Sequence, residues 1–125
     1  MPEEWPDAQQ TTKGAVGVAT STSPFGPWKR CGTEPILCCS DDPLAFDSLR
    51  VDDTCIVVMN GEYRMYFKGR PWEQPPSKTR MGVATATDPL GPWTKYEGNP
   101  VLDSGHEVCV WPHGTGIGCM VSNTG

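Results

Sequence analysis

The sequence has no stretch of helical periodicity long enough to form an element, and no apolar run approaching the length of a membrane span. The first absence argues against helical bundles and doubly wound α/β folds. The second, with no basic run among fifteen acidic and ten basic residues (net charge −5), argues against membrane and nucleic-acid partners. Residues Met1–Gln10 lack the pattern of a signal peptide. The six cysteines (Cys31, Cys38, Cys39, Cys55, Cys109, Cys119) show no zinc-type CxxC spacing. Cys55, Cys109 and Cys119 fall within apolar strands and are expected to be buried free thiols. Histidine is scarce, with only His106 and His113.

What the chain does have is turn-forming residues. Glycine (14) and proline (13) together exceed a fifth of the 125 residues, and five tryptophans provide material for a core. Glycine and proline therefore read as punctuation in a strand-rich fold.

The punctuation repeats. Residues Gly17–Leu37, GVATSTSPFGPWKRCGTEPIL, and Gly82–Leu102, GVATATDPLGPWTKYEGNPVL, share 11 of 21 residues without a gap, at an offset of 65. In each copy Gly-Val-Ala-Thr reads as a strand, Ser-Pro or Asp-Pro and then Gly-Pro as a turn, and Trp28 or Trp93 as a large apolar plug. Pro35-Ile36-Leu37 or Pro100-Val101-Leu102 then opens the next strand. The two tryptophans are expected at superimposable, buried positions.

Further on, the repeat continues at a different offset. Matching Cys55 with Cys109 gives an offset of 54, opposes Asp52 to His106 and Asp53 to Glu107, and leaves about eleven extra residues in the first copy, within Cys38–Arg50. Asn60-Gly61 between two apolar runs marks a hairpin. Multi-stranded repeats of this size fit β-propeller blades, with units at about 1–68 and 69–125 and two propeller-like sheets expected. The loop Pro2–Lys13 resembles Pro71–Arg80 before the second copy, and Asn123-Thr124-Gly125 stands where a turn should lead onward. The expectation is an all-β, partial five-bladed β-propeller. The alternatives are a self-contained small β domain and a ring closed by homo-oligomerisation.

The signature GVATATDPLGPWTKYEGNPVL resembles the five-bladed propeller glycosidases, including families 43 and 32. VDDTCIVVMNGEYRMYFKGR and SGHEVCVWPHGTGIGCMVS are most similar to glycoside hydrolase family 117, and the resemblance extends from Gly14 onward. It implies an exo-acting α-1,3-L-neoagarooligosaccharide hydrolase that releases 3,6-anhydro-L-galactose from agar oligosaccharides by inversion. The resemblance makes His106 the general acid, Glu107 its neighbour in the pocket and Asp53 the second aspartate, with Asp52 competing for that place. The family's base aspartate belongs to an earlier blade and maps to no position here. No cofactor is implied, although a structural or active-site divalent metal is compatible with such a site. Two alternatives stay open: a propeller glycosidase acting on arabinan, xylan or fructan, and a non-catalytic carbohydrate-binding segment.

The residues have readings of their own. His106 follows Ser104-Gly105 at the mouth of an apolar strand, where an imidazole either donates a proton near neutral pH or simply caps a turn. Asp52 and Asp53 either begin a strand or serve the site. Since adjacent strand residues point to opposite faces, only one of them is expected to face the channel. His113 reads as a solvated turn residue and Asp41-Asp42-Pro43 as a turn. Arg70, Trp72 and Arg50 are candidate sugar contacts, because indole faces stack on pyranose rings and guanidinium groups donate paired hydrogen bonds.

Overall fold

The computed structural model describes residues 13–122. The strands are β1 (Ala19–Thr20), β2 (Lys29–Arg30), β3 (Arg50–Met59), β4 (Glu62–Arg70), β5 (Arg80–Ala86), β6 (Thr94–Lys95), β7 (Val108–His113) and β8 (Gly116–Val121). All pairing between them is antiparallel, in a four-stranded sheet β3-β4-β5-β6 and two-stranded sheets β1-β2 and β7-β8. A single short 3₁₀ turn, Pro76–Lys78, is the one helical element among the described residues. The loop Pro2–Lys13, apart from Lys13, and the terminal turn at Asn123–Gly125 lie outside those residues.

Both sequence offsets reappear as strand register. Ala19 pairs with Arg30 and Thr20 with Lys29, just as Ala84 pairs with Lys95 and Thr85 with Thr94, 65 residues on. The bridge between Val16 and Leu37 recurs between Met81 and Leu102. At the offset of 54, Cys55 opposite Tyr66 becomes Cys109 opposite Met120, and Met59 opposite Glu62 becomes His113 opposite Gly116. Asn60 (φ 53°) and Gly61 (φ 77°) make the expected two-residue hairpin, both in the left-handed region that such turns require.

Sequence repeat and sheet are nevertheless out of phase. The four-stranded sheet takes β3 and β4 from the first sequence copy and β5 and β6 from the second. Three sheets therefore appear among the described residues where two were expected. Each copy of Gly-Val-Ala-Thr lies in the third or outer part of a sheet, and the matching hairpin begins the next one.

The four-stranded sheet carries a hydrophobic cluster on each face. Leu37, Val51, Met65, Phe67 and Ala84 form one, with Phe46 and Trp93 packed against it. Val57, Met81, Val108 and Val110 form the other, against the β7-β8 sheet. Val51 and Val57 are an even number of residues apart, so strict alternation would put them on one face. A register shift between Asp52 and Cys55 inserts an extra residue into β3 and reverses its facing midway. The strand thereby serves both clusters.

The extra segment before β3 folds over this sheet. Asp42 Oδ1 accepts the Leu44 N–H at 2.9 Å, which makes the Asp41-Asp42-Pro43 turn. Phe46 stacks on Phe67 with centroids 5.9 Å apart, and buried Asp47 accepts Lys95 Nζ at 2.5 Å. This approach requires absent side chains: a Cβ on Gly82 would lie 2.6 Å from Phe67 Cζ and 2.7 Å from Phe46 Cζ. A Cβ on Gly69 would collide with the Phe46 ring in the same way.

Two expectations about burial are corrected. Trp93 packs against the first cluster, but Trp28, at the equivalent position, is 60% exposed. Trp93 has that cluster to pack against and is half-buried there, whereas Trp28 joins neither cluster among the described residues. All six cysteines are free as expected, yet Cys109 and Cys119 are exposed and Cys55 is half-buried. Val108 and Val110 face the cluster, so alternation turns Cys109 outward.

Overpacking a core typically costs about 1–3 kcal/mol, so Gly82→Ala is expected to lower unfolding stability by about that much in urea denaturation. Cys39 Sγ donates to the carbonyls of Gly14 and Leu49, at 2.9 and 3.0 Å, and burial pushes its thiol pKa up. At pH 8 it should therefore alkylate more slowly than exposed Cys38. Peptide mapping after timed iodoacetamide labelling reads this directly.

Candidate active site

The bulge that reverses β3 also builds the site. Asp53 sits within it at φ 46°, a left-handed conformation that aspartate tolerates better than most residues. Alternation is lost here, so Asp52 and Asp53 do not point to opposite faces as a regular strand would require. Both carboxylates reach the ammonium of Lys68 on β4, the cross-strand partner of Asp52. Lys68 donates to Asp53 Oδ2 and lies 3.4 Å from Asp52 Oδ1. The Lys68 side chain is only 6% exposed, with those two carboxylates as its counter-charges.

Beside this group the chain enters β7. Gly105 (φ 115°) is buried, and its carbonyl accepts Thr79 Oγ1 at 3.0 Å. A Cβ there would strike Val121, so a residue with a side chain could not turn the backbone into β7 at this point. The His106 N–H donates to Ser122 O at 2.8 Å and the Ser122 N–H to Glu107 O at 2.9 Å, which ties both residues to the end of β8. Their side chains are joined through His106 Nδ1 and Glu107 Oε1 at 2.7 Å.

Strands β3 and β7 meet through a thiol. The Val110 N–H donates to Cys55 Sγ at 3.5 Å, and the contact brings the two strand mouths together. Potential ligand atoms of Asp53, His106 and Glu107 all lie within 4.8 Å of one another. One imidazole nitrogen with two carboxylates is a donor set suited to a divalent cation such as zinc. In this arrangement, however, Lys68 already engages the Asp53 carboxylate. Asp52 stands outside the group and faces Arg50 Nη1 at 3.7 Å as well as Lys68. The bulge thus separates the two competing aspartates by position.

The other candidates divide. Arg50 and Arg70 are register partners at the same end of the sheet as Asp52 and Lys68. Trp72 lies instead beside the extra segment, its N–H on Ser48 Oγ at 2.8 Å, and lines a shallow pocket of about 200 Å³ with Lys13, Ser40, Asp41, Pro43 and Ser48. None of the residues around His106 lines that pocket. His113 is exposed at the β7-β8 hairpin, as expected. The residue that sequence reasoning passed over is Lys68. Its only signal was a charged residue inside the apolar run Tyr63–Gly69.

No protein-family model matches the chain, and no curated protein does. Solved structures do. A family 117 glycoside hydrolase from the marine bacterium Zobellia galactanivorans is 30% identical with a TM-score of 0.75, over 89% of this chain and 31% of its own length. A thermostable family 43 glycoside hydrolase is 28% identical with a TM-score of 0.50, over 71% of this chain and 32% of its own. The chain thus spans about a third of the length of either structure. The resemblance to family 117 is carried by the backbone as well as by the motifs, and the chain is an all-β, partial five-bladed propeller.

Lys68 and Asp53 should be energetically coupled. In a double-mutant cycle of Lys68→Met and Asp53→Asn, urea denaturation should give an interaction energy of about 1–3 kcal/mol. Simple additivity would show that the ion pair contributes no coupling energy.

Proposed function

We propose that this chain forms the acid-side portion of an inverting exo-glycosidase that removes 3,6-anhydro-L-galactose from agar oligosaccharides. The observation that carries this reading is the convergence of His106, Glu107 and Asp53 at two strand mouths, on a backbone similar to that of a family 117 glycoside hydrolase. A glycoside bond breaks when its departing oxygen receives a proton. Glu107 accepts from His106 Nδ1 and fixes the ring, which leaves Nε2 to hold the proton that goes to the leaving oxygen. His106 is about one-third exposed, open enough for a sugar to approach. Asp53, held by Lys68, places a carboxylate beside the imidazole and supports the charge change during transfer. The likeness to a family 43 enzyme supports the wider propeller-glycosidase class, in which arabinan or xylan would be the substrate.

Inversion also needs a base to activate water on the opposite face of the sugar. The family resemblance assigns that base to no residue of this chain. The purified 125-residue polypeptide should therefore release no measurable 3,6-anhydro-L-galactose from neoagarobiose. A protein that combines this chain with the base-bearing blade should do so, with kcat lowered about 10²–10⁴-fold by His106→Ala. Reducing-sugar release followed by chromatography checks both outcomes. Turnover that survives His106→Ala would remove the acid assignment.

A further inference from the structure

Arg70 is the least explained charge in the molecule. The residue is 5% exposed, and its Nε is buried with no hydrogen-bond partner. Among the described residues its guanidinium forms no hydrogen bond or ion pair. Its cross-strand neighbour is another cation, Arg50, whose Nε is likewise buried and without a partner. Like charges directly opposite in a sheet destabilise it unless something neutralises them. Burial and then Arg50 act to lower the Arg70 pKa, opposed by Asp52 and Asp53, which places all four groups within electrostatic reach.

The nearby carboxylates face other groups first, although Asp52 Oδ1 is itself buried and makes no hydrogen bond. Asp52 is shared by Arg50 and Lys68, Asp53 is held by Lys68, and Glu107 is held by His106. A buried cation that makes no direct ion pair is costly, and a guanidinium keeps its proton under all ordinary conditions. The missing partner is an anion. The atoms left to meet it are the terminal amino groups, since Nε is the only fully buried and unbonded nitrogen of Arg70. Two such groups in a planar fork match two oxygens of a sulfate ester or a carboxylate.

We propose that Arg70, backed by Arg50, forms an anion-accepting subsite beside His106 and Asp53, and that the sugar bound there carries a sulfate ester or a carboxylate. The inference rests on the glycosidase reading for its ligand class, and on the unpaired guanidinium for its charge. It narrows that reading, because a neutral sugar accepts hydrogen bonds from Arg70 but supplies no counter-charge.

The test is binding without turnover. The full chain is titrated with galactose, galactose 6-sulfate and galacturonate at constant ionic strength, followed by calorimetry or by amide chemical shifts. At least one anionic sugar should bind tenfold or more tightly than galactose. Whichever anion is preferred tells ester from carboxylate. Arg70→Gln should erase the preference. Arg70→Lys, which keeps the charge and loses the fork, should retain only part of it and serves if the glutamine variant does not fold. Anion preference in this chain, with no hydrolysis by the protein that adds the base-bearing blade, would fail the proposed function alone. Equal affinity for all three sugars, or a preference untouched by both Arg70 variants, overturns the subsite.

Discussion

The arrangement of the site depends on one buried ammonium. Lys68 stands on a strand whose other residues are mostly apolar, and it is stable there because two consecutive carboxylates on β3 turn toward it. They can do so only because β3 bulges between Asp52 and Cys55. The same bulge reverses the facing of the strand, so that Val51 enters one hydrophobic cluster and Val57 the other. Charge and packing thus call for the same local distortion. A regular β3 would lose both the second cluster and the proximity of Asp53 to His106.

Around that centre, rigidity comes from close approaches that glycine alone permits. Gly69 and Gly82 let the Phe46 and Phe67 rings lie against the sheet, and Gly105 lets the chain turn beneath Val121 into β7. His106 and Glu107 follow directly and are hydrogen-bonded to Ser122. His106 is therefore positioned by backbone contacts on both sides, as the proton transfer proposed for it requires. The cationic pair Arg50 and Arg70 lies at the same end of the sheet as Asp52 and Lys68.

Much of the fold was legible in the chain. Two offsets, 65 and 54, reappear residue for residue in strand register, because a repeated strand-turn-strand pattern pairs in a repeated way. The Asn60-Gly61 turn follows from the φ values that short hairpins require. His106, Glu107 and Asp53 were legible through motif resemblance, not through composition or periodicity. Lys68 was not, since a lysine in a strand gives no sign of whether its ammonium reaches water or a carboxylate. The burial of Trp28 and of Cys109 was misjudged, because exposure depends on what lies across a face.

The sequence by itself determined the local elements: strand character, turn positions, the repeat and the residue types available to the site. These depend on near neighbours along the chain, through backbone sterics and side-chain alternation. Tertiary structure alone decided which copy's strands share a sheet, which of two adjacent aspartates meets the histidine, and which buried cation has no ion pair among the described residues. Those outcomes are set by distances between residues far apart in the chain. They turn on a one-residue bulge, and one residue of register moves every side chain beyond it to the opposite face.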